Sequence, residues 1–206
     1  MRIDVAIKKR QFHKNENILA SFKHAKETNG RLHLLGLVRP PPVHLCIKTK
    51  KNAQISDGGV HSHNTHLYAL LETAKEVGVP HVYVHFLGDG RDTAPRSAAR
   101  YARELRAFVE KLGVGEVATI VGRYYAMDRD KRWERVQIAV EGLVHGKGEA
   151  AEGGDYVSAI EARYEKDETD EFLKPIIVNG DAGRIKGAFF FGFQPSPSLW
   201  GSRTDR

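Results

Sequence analysis

The feature that most constrains the fold of this 206-residue chain is a regular alternation, from residue 30 onward, of short apolar runs and longer amphipathic segments. The apolar runs at residues 32–38, 81–87 and 116–121 have the leucine, β-branched and aromatic content of buried parallel strands. Residues 67–77, 101–112 and 133–144 repeat apolar side chains at helical spacing. The order predicts an α/β fold, a mostly parallel sheet flanked by helices.

Local signals predict where the helices begin and end. Gly78 and Pro80 are expected to end the first helix. Thr93 is expected to cap the second helix, with Pro95 in its first turn. Trp133 is expected on the buried face of the third helix.

Three segments depart from this alternation. Residues 39–55 (RPPPVHLCIKTKKNAQI) hold three consecutive prolines and separate the first strand from its helix, where a connection usually has about 2–6 residues. Residues 187–206 open as a strand and then turn into a Pro/Ser/Gly-rich sequence. Residues 155–181 are acidic and predict a surface excursion with a short strand over residues 172–178.

The charge of the chain argues against a nucleic-acid site. The formal net charge is +6, and residues 1–55 carry 12 Lys and Arg against 3 Asp and Glu, whereas the remainder is slightly acidic. The basic part has no aromatic residues interleaved with its cations and no paired Cys/His spacing. A solvated basic face is the favoured interpretation, and we expect no nucleic-acid partner.

Hydropathy and cysteine content indicate the compartment. No stretch approaches the roughly 20 apolar residues of a membrane helix, so we expect no membrane partner. The charged start of the chain does not resemble a secretory signal, and Cys46 is the single cysteine of the sequence. A cytoplasmic location is therefore expected.

Polar residues concentrate in three loops, each of which follows a predicted strand once residues 39–55 are set aside. The first loop is 56–63 (SDGGVHSH), the second 88–93 (GDGRDT) and the third 122–130 (GRYYAMDRD). Because the carboxyl ends of parallel strands meet at one edge of a sheet, the cationic and titratable groups of these loops should converge there: His61, Arg91, Arg123 and Arg129. Arginine forks suit carboxylates and phosphates, so the pattern favours a small, multiply charged anion. Asp92, directly after Arg91, can hold a substrate hydroxyl and move its proton.

Other chemistries fit these loops less well. His61, His63 and His66 lie near Asp57, but no second ligand group completes a structural zinc site. Gly88-Asp89-Gly90 lacks the third glycine of a dinucleotide fingerprint. Neither serine of the first loop stands in a Gly-x-Ser-x-Gly elbow, so a capping role is favoured over a nucleophilic one for both.

Together the three loops resemble a known family. SDGGVHSH (56–63), DGRDT (89–93) and GRYYAMDRDKRW (122–133) resemble the cofactor-independent, or 2,3-bisphosphoglycerate-independent, phosphoglycerate mutases. The resemblance runs over residues 1–38 and 56–188. It implies interconversion of 3-phosphoglycerate and 2-phosphoglycerate in glycolysis through a phosphoserine enzyme that is usually monomeric. It also implies a phosphatase-like domain with the nucleophilic serine and two manganese ions, and an inserted transferase-like domain that holds the glycerate.

The chain resembles the second of these domains, the substrate-binding one. His61, Arg91, Asp92, Arg123 and Arg129 stand where the family binds phosphoglycerate, and the resemblance makes Asp92 the catalytic carboxylate. It places the serine nucleophile and the metal ligands outside this chain.

Two departures from the family pattern define the predicted organisation. Residues 1–38 are expected to start the substrate-binding domain, 39–55 to be an aberrant insertion or a surface loop, 56–188 to continue the domain, and 189–206 to be an aberrant tail. Arg203 and Arg206 restore the family's Arg-x-Asp-Arg pattern only beyond the Pro/Ser stretch and are carried over as substrate ligands on that pattern alone. The expectation is a mutase fragment inactive by itself. The alternative is a non-catalytic module that binds phosphoglycerate or another anion.

Overall fold

A computed structural model describes residues 2–37, 63–186 and 189–192. The helices are α1 Arg2–Lys8, α2 Glu16–Glu27, α3 Asn64–Val77, α4 Ala98–Leu112, α5 Arg123–Ala126, α6 Trp133–Val140 and α7 Tyr156–Tyr164. The strands are β1 Arg31–Leu37, β2 His81–Gly88, β3 Glu116–Gly122, β4 Glu149–Ala150, β5 Ile176–Ile177 and β6 Phe189–Gly192. A π-helical turn, Glu141–His145, extends α6.

The six strands form one sheet in the order β4-β5-β3-β2-β1-β6. β1, β2, β3 and β6 are parallel to one another. β5 pairs antiparallel with β3, and β4 pairs parallel with β5 at the edge of the sheet. The α/β fold and the mostly parallel sheet that the alternation predicts are confirmed. The strand expected early in residues 187–206 is β6, which lies beside β1.

The sheet buries both faces, which explains why β1 to β3 are apolar without strict alternation. One face packs against α2, α3, α4 and α7 around Phe22, Leu70, Leu105 and Ile160. The other face packs Leu35, Leu37, Leu87 and Val121 of the strands against Met127, Ala139 and Leu143. Each described helix is too short or too polar to cross a bilayer.

The structure confirms one local prediction and corrects two others. Gly78 does end α3, in the left-handed conformation with φ 77° that glycine adopts without strain. The helix predicted after Thr93 begins only at Ala98, with Ser97 in the N-cap position and Pro95 in the preceding turn. Trp133 is 72% exposed, because α6 turns Ala139 toward the sheet instead.

The acidic segment 155–181 is not a surface excursion. Tyr156, Val157 and Ile160 of α7 are buried against the sheet, and Asp170 is 1% exposed. The strand predicted over residues 172–178 is only β5, preceded by a 3-10 turn, Asp170–Phe172. The segment therefore belongs to the core of the domain. Residues 39–55 lie outside the described part of the chain.

Candidate functional site

The second loop leaves the carboxyl end of β2 and is shaped by its own side chains. Asp89 is 2% exposed, and its Oδ1 accepts hydrogen bonds from the backbone nitrogens of Asp92 (3.2 Å) and Arg91 (3.4 Å). The hydroxyl of Thr93 accepts one from the nitrogen of Gly90 (3.2 Å). These bonds turn the chain so that Asp92 lies at the edge of the sheet, with its side chain 30% exposed.

Arg123 comes from the neighbouring strand and meets this loop. It is the first residue of α5, directly after β3, and is 8% exposed. Its Nη1 donates to Oδ1 of Asp89 at 2.5 Å and to Oδ2 of Asp92 at 2.8 Å. Parallel pairing of β2 with β3, with Gly88 opposite Gly122, brings the two loops together as predicted.

The two carboxylates determine the charge state of Arg123. Burial acts to lower the pKa of its guanidinium, but the hydrogen bonds to Asp92 and Asp89 outweigh burial and raise the pKa above the ordinary arginine value. The group is therefore a permanent cation held in fixed orientation, which suits it to bind a carboxylate or phosphate in a partly dry site. Asp92 touches both this cation and solvent, where a substrate hydroxyl can reach it.

The other candidate arginines lie at the surface of the same loops. The Arg91 side chain is 65% exposed, with Nη1 at 4.0 Å from Oε1 of Glu171. Arg129, in the third loop, is exposed. The preceding residue, Asp128, accepts from the backbone of Arg132 at 2.9 Å and from Nη1 of Arg135 at 3.3 Å, so it orders the start of α6.

The first loop is described only from His63 onward, so His61 lies outside the described residues, as do Arg203 and Arg206. His63 and His66 are buried at the start of α3 with ring centroids 5.7 Å apart, and Nδ1 of His63 lies 2.8 Å from Oγ1 of Thr65. Within residues 2–37, 63–186 and 189–192 no three His, Cys, Asp or Glu side chains are grouped to hold a metal ion. A manganese site therefore has no fit among the residues described.

Sequence reasoning missed the 3-10 turn Asp170–Phe172, which lies against both loops. Asp170 sits in an acidic stretch, and its own sequence neighbourhood carries no sign that it is buried. Burial raises the pKa of the Asp170 carboxyl, against the opposing effect of hydrogen bonds from Tyr164, Ser97 and Ala98. Only the three-dimensional structure reveals that the turn lies against the second and third loops.

Comparison with known proteins identifies the family of the chain. The chain matches the sequence family described as "BPG-independent PGAM N-terminus" over residues 3–54 and 52–194. It belongs to this family. The point where the match divides lies at the end of residues 39–55, the segment that interrupts the predicted order of strands and helices.

Individual relatives carry the same name. The 2,3-bisphosphoglycerate-independent phosphoglycerate mutase of Caenorhabditis elegans is 47% identical over 187 residues, which cover 90% of this chain and 32% of the relative. That of Listeria monocytogenes is 42% identical over 204 residues, or 96% of this chain and 36% of the relative.

A solved structure shows the same fold. Leishmania mexicana phosphoglycerate mutase, determined at low cobalt concentration, matches 93% of this chain and 34% of its own with a TM-score of 0.72 and 27% identity. The chain thus spans about a third of the length of the relatives it matches.

Proposed function

We propose that this chain is the substrate-binding part of a 2,3-bisphosphoglycerate-independent phosphoglycerate mutase, an isomerase that interconverts 3-phosphoglycerate and 2-phosphoglycerate in glycolysis. The observation that carries the proposal is the buried Arg123 guanidinium shared by Asp89 and Asp92 at the carboxyl edge of the sheet. Membership of the family and the names of the relatives support the reaction.

The proposed roles of the residues come from the family resemblance, and their charge and exposure support them. Arg123 holds an anionic group of the substrate from the protein interior, and Arg91 and Arg129 bind its carboxylate and phosphate from the surface. His61 is assigned to the same anion on the family resemblance alone. Asp92 is the general acid and base: it gives a proton to the substrate oxygen that loses the phosphoryl group and takes one from the hydroxyl that receives it. Arg203 and Arg206 remain candidates for the same anion.

The reaction also needs a group that accepts the phosphoryl group and metal ions that stabilise its charge. We assign the serine that carries the phosphoryl group and the two manganese ions to the portion of the relatives that this chain does not span, and no step above passes through a metal. We further propose that the protein works in the cytoplasm as a monomer with phosphoglycerate as its partner.

The proposed domain comprises residues 1–38 and 56–188, interrupted by 39–55. Pairing of β6 with β1 adds residues 189–192 to the same sheet. The rest of the tail, 193–206, stays a proposed aberrant segment.

A calorimetric titration of the chain with 3-phosphoglycerate, and separately with sulfate, tests the proposal. A site shaped for phosphoglycerate should bind it at least about tenfold more tightly than sulfate, because it adds a carboxylate and a hydroxyl that each find partners. Equal affinity for the two anions would favour the second candidate function, a non-catalytic module that binds anions. The observation in favour of that candidate is that the chain spans only about a third of the length of its relatives.

A further inference from the structure

The 3-10 turn Asp170–Phe172 touches both of the loops that carry the candidate site. The backbone nitrogen of Asp170 donates to the carbonyl of Pro95 at 2.8 Å, just after the second loop. The nitrogen of Gly122 donates to the carbonyl of Leu173 at 2.7 Å, just before Arg123. The turn and the residue that follows it, Leu173, are thus bonded to the chain on both sides of the Asp92–Arg123 contact.

Three glycines allow this close approach. A Cβ on Gly88 would lie under 3.0 Å from the carbonyl oxygen of Asp170, one on Gly90 would lie 2.7 Å from the nitrogen of Glu171, and one on Gly122 would lie under 3.0 Å from the carbonyl oxygen of Glu171. Gly88 and Gly90 flank Asp89, and Gly122 precedes Arg123. The backbone of the turn therefore packs directly against the backbone of both loops and keeps them at a fixed distance. We call Asp170–Phe172 the spacer turn.

The carboxylate of Asp170 holds the turn in place. Its Oδ2 accepts from the backbone nitrogens of Ser97 and Ala98, both at 2.8 Å, and from the Ser97 hydroxyl at 3.1 Å. Its Oδ1 accepts from the hydroxyl of Tyr164 at 2.5 Å. One side chain from a distant segment thus caps α4 and joins the turn to α7.

We propose that Asp170 is a positioning residue of the phosphoglycerate site. Through the turn it sets the separation of the second loop from β3, and with it the 2.8 Å contact of Asp92 with Arg123. A site held this way loses affinity when its support relaxes, even though the supporting residue never meets the ligand. The inference rests on the proposed function for the identity of the ligand, but its geometric part concerns the ligand-free protein.

The test uses Asp170→Ala in the full chain and two readouts. The first is the solvent exchange rate of the Arg123 guanidinium protons by NMR without ligand, which we expect to rise by about tenfold as the carboxylate contacts loosen. The second is calorimetric affinity for 3-phosphoglycerate, which we expect to fall by about tenfold.

Asp155→Ala is the matched control. Asp155 also caps a helix: it accepts a hydrogen bond from the Ser158 hydroxyl at 2.5 Å and pairs with Arg106. It lies at the start of α7, whereas Tyr164, which bonds Asp170, is the last residue of that helix. It should leave both readouts within about twofold of the wild type, since its loss removes a cap without touching the spacer turn.

Tyr164→Phe is the milder variant that keeps the test decisive if Asp170→Ala does not fold. It removes only the hydrogen bonds of the phenol, and we expect both readouts to move in the same direction by about threefold. Exchange and affinity within twofold of the wild type in the folded variants would overturn the positioning role while leaving the proposed function standing. Faster exchange in a chain whose wild type binds no phosphoglycerate would support the positioning role and overturn the proposed function.

Discussion

At the scale of single residues, two buried arginines differ in the groups that surround them. Arg184 is 1% exposed and donates to three carbonyl oxygens, those of Gly180 (2.7 Å), Ala118 (2.9 Å) and Gly142. Burial lowers the pKa of Arg184, against a smaller opposing effect of Asp181. Arg123 instead has two carboxylate partners, one of them partly exposed at the sheet edge. Arg184 thus joins three parts of the backbone through its hydrogen bonds, whereas the proposed role of Arg123 is to bind an anionic ligand.

Replacing Arg123 should therefore affect ligand binding more than any other single change. Arg123→Ala is expected to weaken binding of 3-phosphoglycerate by about 2–3 kcal/mol, the value of a charge-assisted hydrogen bond, measured by calorimetry. Arg106→Ala, whose ion pair with Asp155 lies away from the site, is the control and should bind as the wild type does. An unchanged affinity in Arg123→Ala would remove the residue from the site.

At the scale of elements, the contact between β3 and the 3-10 turn is tight enough to be tested by one methyl group. Gly122→Ala would place a Cβ against the carbonyl of Glu171, and we expect this overpacking to lower the free energy of unfolding by about 3 kcal/mol, the upper end of the usual cost, because the clashing neighbour is backbone. Urea unfolding measures the change. Gly153→Ala is the control: its added Cβ would have no neighbour within 4 Å, so the variant measures only the strain of a φ of 58°. We expect it to lower the free energy of unfolding by about 1 kcal/mol. Equal losses in the two variants would argue against the tight contact.

Two histidines on neighbouring strands predict how stability depends on pH. Nδ1 of His33 lies 2.8 Å from Nε2 of His85, both side chains are fully buried, and the His33 ring stacks on Tyr83. Burial, with the charges of Arg31 and Arg184, lowers the pKa of His33 to about 4. Burial also lowers the pKa of His85 well below its ordinary value. Both rings are therefore neutral in the folded protein at pH 7.

Acid should destabilise the fold through this pair. In the unfolded chain both rings bind protons below about pH 6.5, so the unfolded state takes up more protons than the folded state as the pH falls toward 4. Each histidine should reduce the free energy of unfolding by up to about 1.4 kcal/mol per pH unit in that window. Denaturant unfolding at several pH values measures this dependence in the wild type and in the double variant His33→Leu/His85→Leu. The free energy of unfolding of the variant should change less with pH. Parallel curves would contradict the account.

The elements were predictable to the extent that their signals are local. Periodicity located β1 to β3 and α3, because burial on a sheet face imposes it on the sequence directly. The start of α4 was not predictable from Thr93 and Pro95, because its capping carboxylate comes from Asp170, far along the chain. Convergence of Asp92 with Arg123 followed from strand order alone, but the spacer turn between their loops did not.

At the scale of the whole molecule, the proposed function assigns only substrate binding and proton transfer to this chain. It spans about a third of its relatives, and its described residues group a cation and carboxylates at one sheet edge without a metal-binding cluster. We expect the 206-residue chain alone to produce no 2-phosphoglycerate from 3-phosphoglycerate with manganese present, because phosphoryl transfer needs an activated nucleophile. A coupled assay measures this, and robust turnover would contradict the assignment of the nucleophile to the remainder of the relatives.

The most direct test of the central claim is an NMR titration of the labelled chain with 3-phosphoglycerate. We expect the largest shifts on residues 89–93 and 123–129 and on the guanidinium of Arg123, because Asp89, Asp92 and Arg123 meet there. A cavity of about 290 Å³ lined by Arg106, Glu116 and Tyr156, beside the start of β3, serves as an internal control and should stay unperturbed. Shifts at that cavity, or none near Arg123, would contradict the account.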